Sequence, residues 1–506
     1  MKKLGLCILS LMFVLTLAPV INAGDVASGN NADSAKAITI SGSVDLPLTY
    51  RDGPTNDILE GNPTNTTVDK MDHDVIWAPL ITLNADIDLA DKVTALVQLE
   101  NRRLDFAGGV DANTDILGAD NTEMAVEQAY VKVGQFINEK LSLTLGLQDL
   151  KFTLRKGEGA FFMDISESET IIAPPLAEAV TVSNPVFKDT TEFGGFRFDY
   201  GSVAKDNYEV TLFWGGAAFQ RSSNFDNGQD NLFGVNVNYK QSDTITINGI
   251  LAKITNKGKF DIGSPSNKVD IQTIGAGLNW TTLANVAGLD GYAEYYTQSG
   301  TYGQYQTGAT TWDDVDHSAS AYRFGVVYTF NDINGKPYVG LSTWNISGDD
   351  GENQQLAGAA SAPENNDFVS YESVNDTMIM ENNLFGLDLD SNYTALKLNA
   401  GIETSFDIDG DKTGEPVHLK LTWAKFTLNE EPVRAGVAWN APRTNIDDAL
   451  GTEIDISATI HYNASLSFTL GLAQLTGADF FTSANGANTA DSDDLKMVTF
   501  DTYLRF

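Results

Sequence analysis

Hydrophobic and polar residues alternate along much of this chain with a period of two, which marks β-strands with one apolar and one polar face. In 451–463, Ile454, Ile456, Ala458 and Ile460 alternate with Glu453, Asp455, Ser457 and Thr459. In 393–407, Leu396, Leu398, Ala400 and Ile402 alternate with Lys397, Asn399 and Glu403. In 322–330, Tyr322, Phe324, Val326, Tyr328 and Phe330 form an aromatic-rich face opposite Arg323. The pattern predicts strands at 37–49, 75–89, 92–103, 124–134, 140–151, 190–200, 207–219, 230–240 and 243–254. It continues at 269–281, 290–299, 320–330, 337–347, 392–407, 416–428, 451–462, 464–476 and 495–506. These are eighteen strands, an even number, as bacterial antiparallel barrels require. Trp77, Trp214, Trp280, Trp344 and Trp423 fall near or within strands, where interfacial aromatic girdles would place them.

The connections alternate in length. Residues 50–74, 104–123, 152–189, 347–391 and 429–450 are long, and each is followed one strand later by a short turn such as 90–91, 135–139, 201–206 or 408–415. A transmembrane barrel with long extracellular loops and short periplasmic turns must show this phase, and the phase puts both termini in the periplasm. A soluble sandwich has no reason to keep it. The expected fold is therefore all-β, a transmembrane antiparallel β-barrel of about 18 strands. The longest loops, 152–189 and 347–391, are the expected plugs or constrictions of its lumen.

Both ends agree with export. Lys2 and Lys3 precede an apolar run from Leu4 to Val20, and Ala23 offers a small residue for cleavage. This is the layout of a secretory signal peptide over 1–23, followed by a short periplasmic segment, 24–36, and a barrel over 37–506. The one cysteine, Cys7, lies inside the leader, so the mature chain is expected to have no disulfide. At the other end, Val498, Phe500, Leu504 and Phe506 share one face of the last strand. Thr499, Asp501, Tyr503 and Arg505 share the other. A terminal aromatic resembles the signal read by the barrel-assembly machinery, here Phe500, Tyr503, Leu504 and Phe506. The expected location is the outer membrane of a Gram-negative type of cell, with outer-membrane lipid around the barrel.

After Ala23 no run of about 18 apolar residues remains, which excludes a helical membrane protein. Hydrophobic residues make up 42% of the chain and mean hydropathy is −0.16. A barrel gives such an average because every second residue faces a polar lumen. The 68 acidic against 32 basic residues leave a net charge of −36, which argues against a nucleic-acid partner. Most of the acid is in the loops. Asp349, Asp350, Glu352, Glu364, Asp367, Glu372, Asp376, Glu381, Asp388 and Asp390 all lie in 348–391, where no Lys or Arg occurs. That loop reads first as a solvated surface segment and second as a cation-binding or gating loop. The faces expected to line the pore are nearly balanced. Arg102, Lys132, Arg197, Arg323, Lys397, Lys420 and Arg505 stand against Glu100, Asp199, Glu209, Glu403, Glu453, Asp455 and Asp501.

Catalytic chemistry finds little support. Of the four histidines, His418 is on a lumen-facing register beside Lys420, while His73, His317 and His461 read as loop or turn residues. None shares a strand and register with a Ser and a carboxylate, so no hydrolase constellation is expected. No cofactor is expected either. Asp407, Asp409 and Asp411 begin like a calcium loop, but Lys412 stands where such a loop needs Gly and His418 where it needs Glu. An ordinary acidic turn is the simpler reading.

Two segments resemble a known family. Leu450-Gly451-Thr452-Glu453-Ile454-Asp455-Ile456 opens a strand, and a tight turn, a second strand, Gly477-Ala478-Asp479-Phe480-Phe481 and the last strand follow. This is similar to the closing portion of the alginate-export porins, LGxExD through PGD-F. Glu127-Gln128-Ala129-Tyr130-Val131 and Leu143-Thr144-Leu145-Gly146-Leu147-Gln148 resemble that family's QAY and GRQ strand pair. The resemblance implies a monomeric eighteen-stranded barrel that conducts solutes, in the founding members a polyuronate. Leu147 stands where the pattern has Arg, and Ala478 where Pro is common. The resulting expectation is a porin for small hydrophilic solutes, with an oligosaccharide or polyuronate among the candidates. The alternative is a barrel-anchored surface structural or receptor protein whose acidic loops bind cations or a partner.

Overall fold

The computed structural model describes residues 37–52, 74–77, 80–101, 124–150, 153–155, 158–159, 169–170, 188–219, 230–256, 269–306, 312–348, 364–369, 377–381, 391–407, 414–430, 449–477 and 494–506. The expected leader 1–23 and the expected periplasmic segment 24–36 lie outside them.

Among the described residues the fold is a closed antiparallel barrel of 18 strands. The first, β1, is Ala37–Asp45 continued by Leu48–Asp52, and β2 is Asp74–Trp77 continued by Leu80–Ala90. Then come β3 (Val93–Asn101), β4 (Met124–Val133), β5 (Leu141–Gln148), β6 (Lys188–Ser202), β7 (Tyr208–Phe219) and β8 (Asp230–Lys240). The middle of the wall is β9 (Ile245–Asn256), β10 (Val269–Trp280), β11 (Leu289–Gln306), β12 (Trp312–Thr329) and β13 (Tyr338–Ile346). It ends with β14 (Tyr393–Phe406), β15 (Glu415–Leu428), β16 (Ala449–His461), β17 (Leu466–Thr476) and β18 (Leu495–Arg505).

Each strand pairs with its sequence neighbour, and β18 returns to β1 through Ser43↔Arg505, Val44↔Leu504 and Asp45↔Tyr503. The last residue completes the seam. Gly42 N–H donates to the Phe506 carbonyl at 2.9 Å, and Phe506 N–H donates back to the Gly42 carbonyl at 3.0 Å. A Cβ on Gly42 would stand 2.6 Å from the Phe506 ring, so the glycine leaves the space the terminal ring fills. Closure removes the exposed strand edges that an open sheet would present.

Alternation now has a spatial meaning. Leu396, Leu398, Leu419, Leu421, Ile454 and Ile456 are exposed on the outer surface. Their strand neighbours point inward, and of these Lys397, Thr422, Glu453 and Asp455 are buried. This is the reverse of a soluble protein, where exposed large apolar side chains are the exception. Trp214 joins the outer band, but Trp344 is fully buried on the inner face, so it is not a girdle residue as its strand position suggested.

One predicted boundary is corrected. Residues 300–319, read as a connection, largely continue β11 and β12 as a long hairpin paired from Leu289↔Tyr328 to Gln306↔Trp312. The sequence hides it because Ser299, Thr301, Gln304, Asp314 and Asp316 supply no apolar face. Above the apolar band no lipid demands such a face, yet backbone pairing still holds the strands.

Candidate functional site

The inner face divides into two halves. Toward the short-turn end, Asp86, Asp88, Lys132 and Glu403 are inward-facing and exposed to water, and Arg197 and Lys420 are partly so. Arg197 Nε donates to Asp199 Oδ1 at 2.9 Å, and Thr211 Oγ1 donates to the same oxygen at 2.8 Å. Tyr338 and His418 stack with ring centres 6.1 Å apart. Arg505 lies over the Tyr503 ring at this end. Nearer the long-loop end, Glu100 accepts from Thr82 Oγ1 at 3.1 Å. Arg102 lies outside the described residues.

Toward the long-loop end, much of the inner face among the described residues is buried. Phe193, Phe213, Leu232, Ile254, Ile271 and Tyr296 point inward into one apolar cluster. Two pieces of the 348–391 loop pack into it, bringing Phe368, Val369, Ile379 and Met380. A third piece arrives from the 152–189 loop: Thr153–Arg155 pairs with Glu158–Gly159 and lies against β9 and β10. It thus reaches several strands around the wall from the end of β5. The favoured reading of 348–391 as a solvated surface loop is therefore overturned for 364–369 and 377–381.

The first loop piece is held by the β11–β12 hairpin. Glu364–Asn365 pairs in parallel with Asp316 and His317. Gln298 treats Val369 as a strand neighbour would: Nε2 donates to its carbonyl at 2.7 Å, and Oε1 accepts its N–H at 2.8 Å. His317 ties the hairpin to this first piece, with Nε2 3.2 Å from Gln298 Oε1 and Nδ1 3.0 Å from Asn365 Oδ1. His317 is thus a buried strand residue rather than a loop residue.

The second piece, 377–381, sits on β14–β17. Glu453 Oε1 accepts the Ile379 N–H at 2.6 Å and Oε2 the Met380 N–H at 2.9 Å. Asp455 Oδ2 accepts the Met378 N–H at 3.2 Å. Hydrogen bonds contribute about 0.5–1.5 kcal/mol each. Glu381 pairs with Lys397 and accepts from Tyr393 Oη at 3.1 Å and Thr377 Oγ1 at 3.3 Å. Lys397 Nζ also lies 3.7 Å from the centre of the Trp344 ring. Lys397, Glu453 and Asp455 were expected to line an open pore. They face inward, but the loop covers them. Arg323 packs over Tyr292 and Trp344 at 5.0 and 5.5 Å.

Of the weak metal candidates, Asp407 is exposed, while Asp409 and Asp411 lie outside the described residues. Among the described residues no cluster of His, Cys, Asp and Glu is placed to hold a metal.

A family profile described as alginate export matches residues 64–493. The chain belongs to the alginate-export family. The family's QAY and GxQ segments meet across β4–β5 as Tyr130↔Gly146. Gly146 has φ +129°, and a Cβ there would stand 2.2 Å from the Ala129 carbonyl oxygen, so only glycine fits under that pairing. Leu147, which replaces the family's Arg, is on the opposite, outward register with Leu145 and Phe196.

Among solved structures, Pseudomonas aeruginosa OccK8 (OprE) is similar at 12% identity and TM-score 0.49, covering 94% of this chain and 99% of that one. Pseudomonas aeruginosa OpdO follows at 13% and 0.44, covering 94% and 98%. An anion-selective porin from Comamonas acidovorans is similar at 10% and 0.40, covering 93% and 99%. No curated protein matches.

Proposed function

We propose that this member of the alginate-export family is an outer-membrane channel through which hydrophilic solutes diffuse passively, with an acidic oligosaccharide or polyuronate as the finer candidate. One observation carries the reading. The inner wall toward the short-turn end bears water-exposed charges of both signs, Asp86, Asp88, Lys132 and Glu403, inside a barrel whose outside is apolar. At this strand number the interior is wider than its side chains can fill. Mixed charges then set a transverse field and a modest selectivity, without cofactor or bond chemistry.

The outward Leu147 bears on the substrate. Whatever the family's Arg contributes at that position, this chain has no cation there, and among the described residues Lys132, Arg197 and Lys420 offer inner-wall cations with access to water.

The test is a planar bilayer with purified, refolded protein under a salt gradient, followed by addition of a polyuronate to one side. Currents that the polyuronate blocks support the finer reading. Currents indifferent to it keep the channel and discard the substrate. Well-folded protein that never conducts overturns the channel and leaves the barrel as an anchor for its loops.

A further inference from the structure

We propose that Glu453 and Asp455 are positioning residues that latch the Thr377–Glu381 segment inside the barrel, so that this latch, more than the charge of the wall, sets the width of the channel. The inference rests on the channel reading above, and it deepens it by naming what holds the constriction.

Three observations converge on it. First, Met378, Ile379 and Met380 donate three consecutive backbone N–H groups to two carboxylates on one strand. Glu453 and Asp455 are two residues apart on β16 and therefore point to the same side, which spaces their oxygens to follow an extended backbone. Carboxylates that only tuned ion flow would keep those oxygens in water. These are buried and committed to the loop.

Second, the adjacent strands supply the rest of the seat. On β14, Lys397 and Tyr393 fasten Glu381, the last residue of the segment. On β17, Gly471 makes room for Met378: a Cβ there would stand 2.4 Å from the Met378 methyl carbon and 2.4 Å from Thr499 Oγ1.

Third, the latch lies among the buried inner-face residues, and among the described residues the water-exposed inner-wall charges Asp86, Asp88, Lys132 and Glu403 lie beyond it, toward the short-turn end. Ser347 accepts the Phe368 N–H at 3.1 Å on its carbonyl, so the first piece of the loop has its own tie to the wall.

The experiment compares the full chain with Glu453→Gln/Asp455→Asn and, separately, with Gly471→Leu. The double variant removes the carboxylates. The glycine variant leaves every charge in place and wedges Met378 off its seat. Single-channel conductance and hydrogen exchange at the Met378, Ile379 and Met380 amides are measured on barrels that retain their strand content. Both variants are expected to raise conductance about twofold or more and to speed exchange at the three amides by at least about tenfold. The latch is overturned if conductance stays at the wild-type value while the amides remain protected. It is also overturned if the double variant moves only the reversal potential, which would return both residues to wall-charge tuning. Should Gly471→Leu fail to fold, the double variant decides alone. Should wild-type protein carry no current, the channel reading falls, and amide exchange still decides whether the latch exists.

Discussion

The ammonium of Lys397, the carboxylate of Glu381 and the ring of Trp344 are packed together with almost no access to water. Removing one partner of a buried ion pair strands the other charge, at a cost of about 3–5 kcal/mol, whereas replacing both by apolar groups is often nearly neutral. Lys397→Met alone is thus expected to lower the urea midpoint of the folded barrel markedly. Lys397→Met with Glu381→Leu should recover most of the loss, less the Tyr393 and Thr377 hydroxyl bonds that end on Glu381. Equal loss in the single and double variants would show that the pair is not coupled. The alternation in 393–407 placed Lys397 on the inner face, which is where it lies. What lies against that face was not legible, because Glu381 sits in an acidic loop with no periodicity to aim it. Glu453 and Asp455 show the same limit: their register was readable, and the backbone that meets them was not.

Strands written in apolar alternation were legible to within a few residues, and those written in polar residues were not. The outer part of the β11–β12 hairpin carries Ser, Thr, Gln and Asp, so it was read as a connection, and His317 with it. Its role depends on Gln298, whose amide satisfies both backbone groups of Val369. Gln298→Ala would leave that buried N–H and carbonyl unpaired, at about 1–3 kcal/mol for each unsatisfied group. The expected result is faster exchange at the Val369 amide with the β11–β12 pairing still protected. Unchanged protection at Val369 would mean that His317 and Asn365 hold the piece unaided.

At the opposite end of the wall, the turns are tied by charge. Lys140 pairs with Asp206 and also contacts Tyr208 Oη, and the Asp206 hydrogen bond raises the ammonium pKa above its ordinary value. A raised folded-state value means this contribution is complete below the ordinary lysine range and is lost as pH rises through the folded value. With Lys140 exposed at the turn, the pair is weak and should fade further in high salt.

For the whole molecule, one alternating code serves two solvents, and each face answers a different experiment. Leu398 is exposed on the outer face, and its neighbour Lys397 points inward on the same strand. Leu398→Arg would place a charge in lipid, at about 2–4 kcal/mol near the bilayer midplane, and should reduce folding into vesicles without altering the current of the barrels that do insert. Lys420→Gln acts on the other face. Lys420 is inward and partly exposed, so removing its charge leaves folding intact and should move the zero-current potential toward cation selectivity. Lys397→Met should move it far less, since Lys397 and Glu381 are both sealed from the solution. The contrast between two lysines on adjacent strands is informative because the net charge of −36 predicts nothing about either. If Lys397→Met shifted the potential as much as Lys420→Gln, the loop would have to stand clear of the wall under conducting conditions.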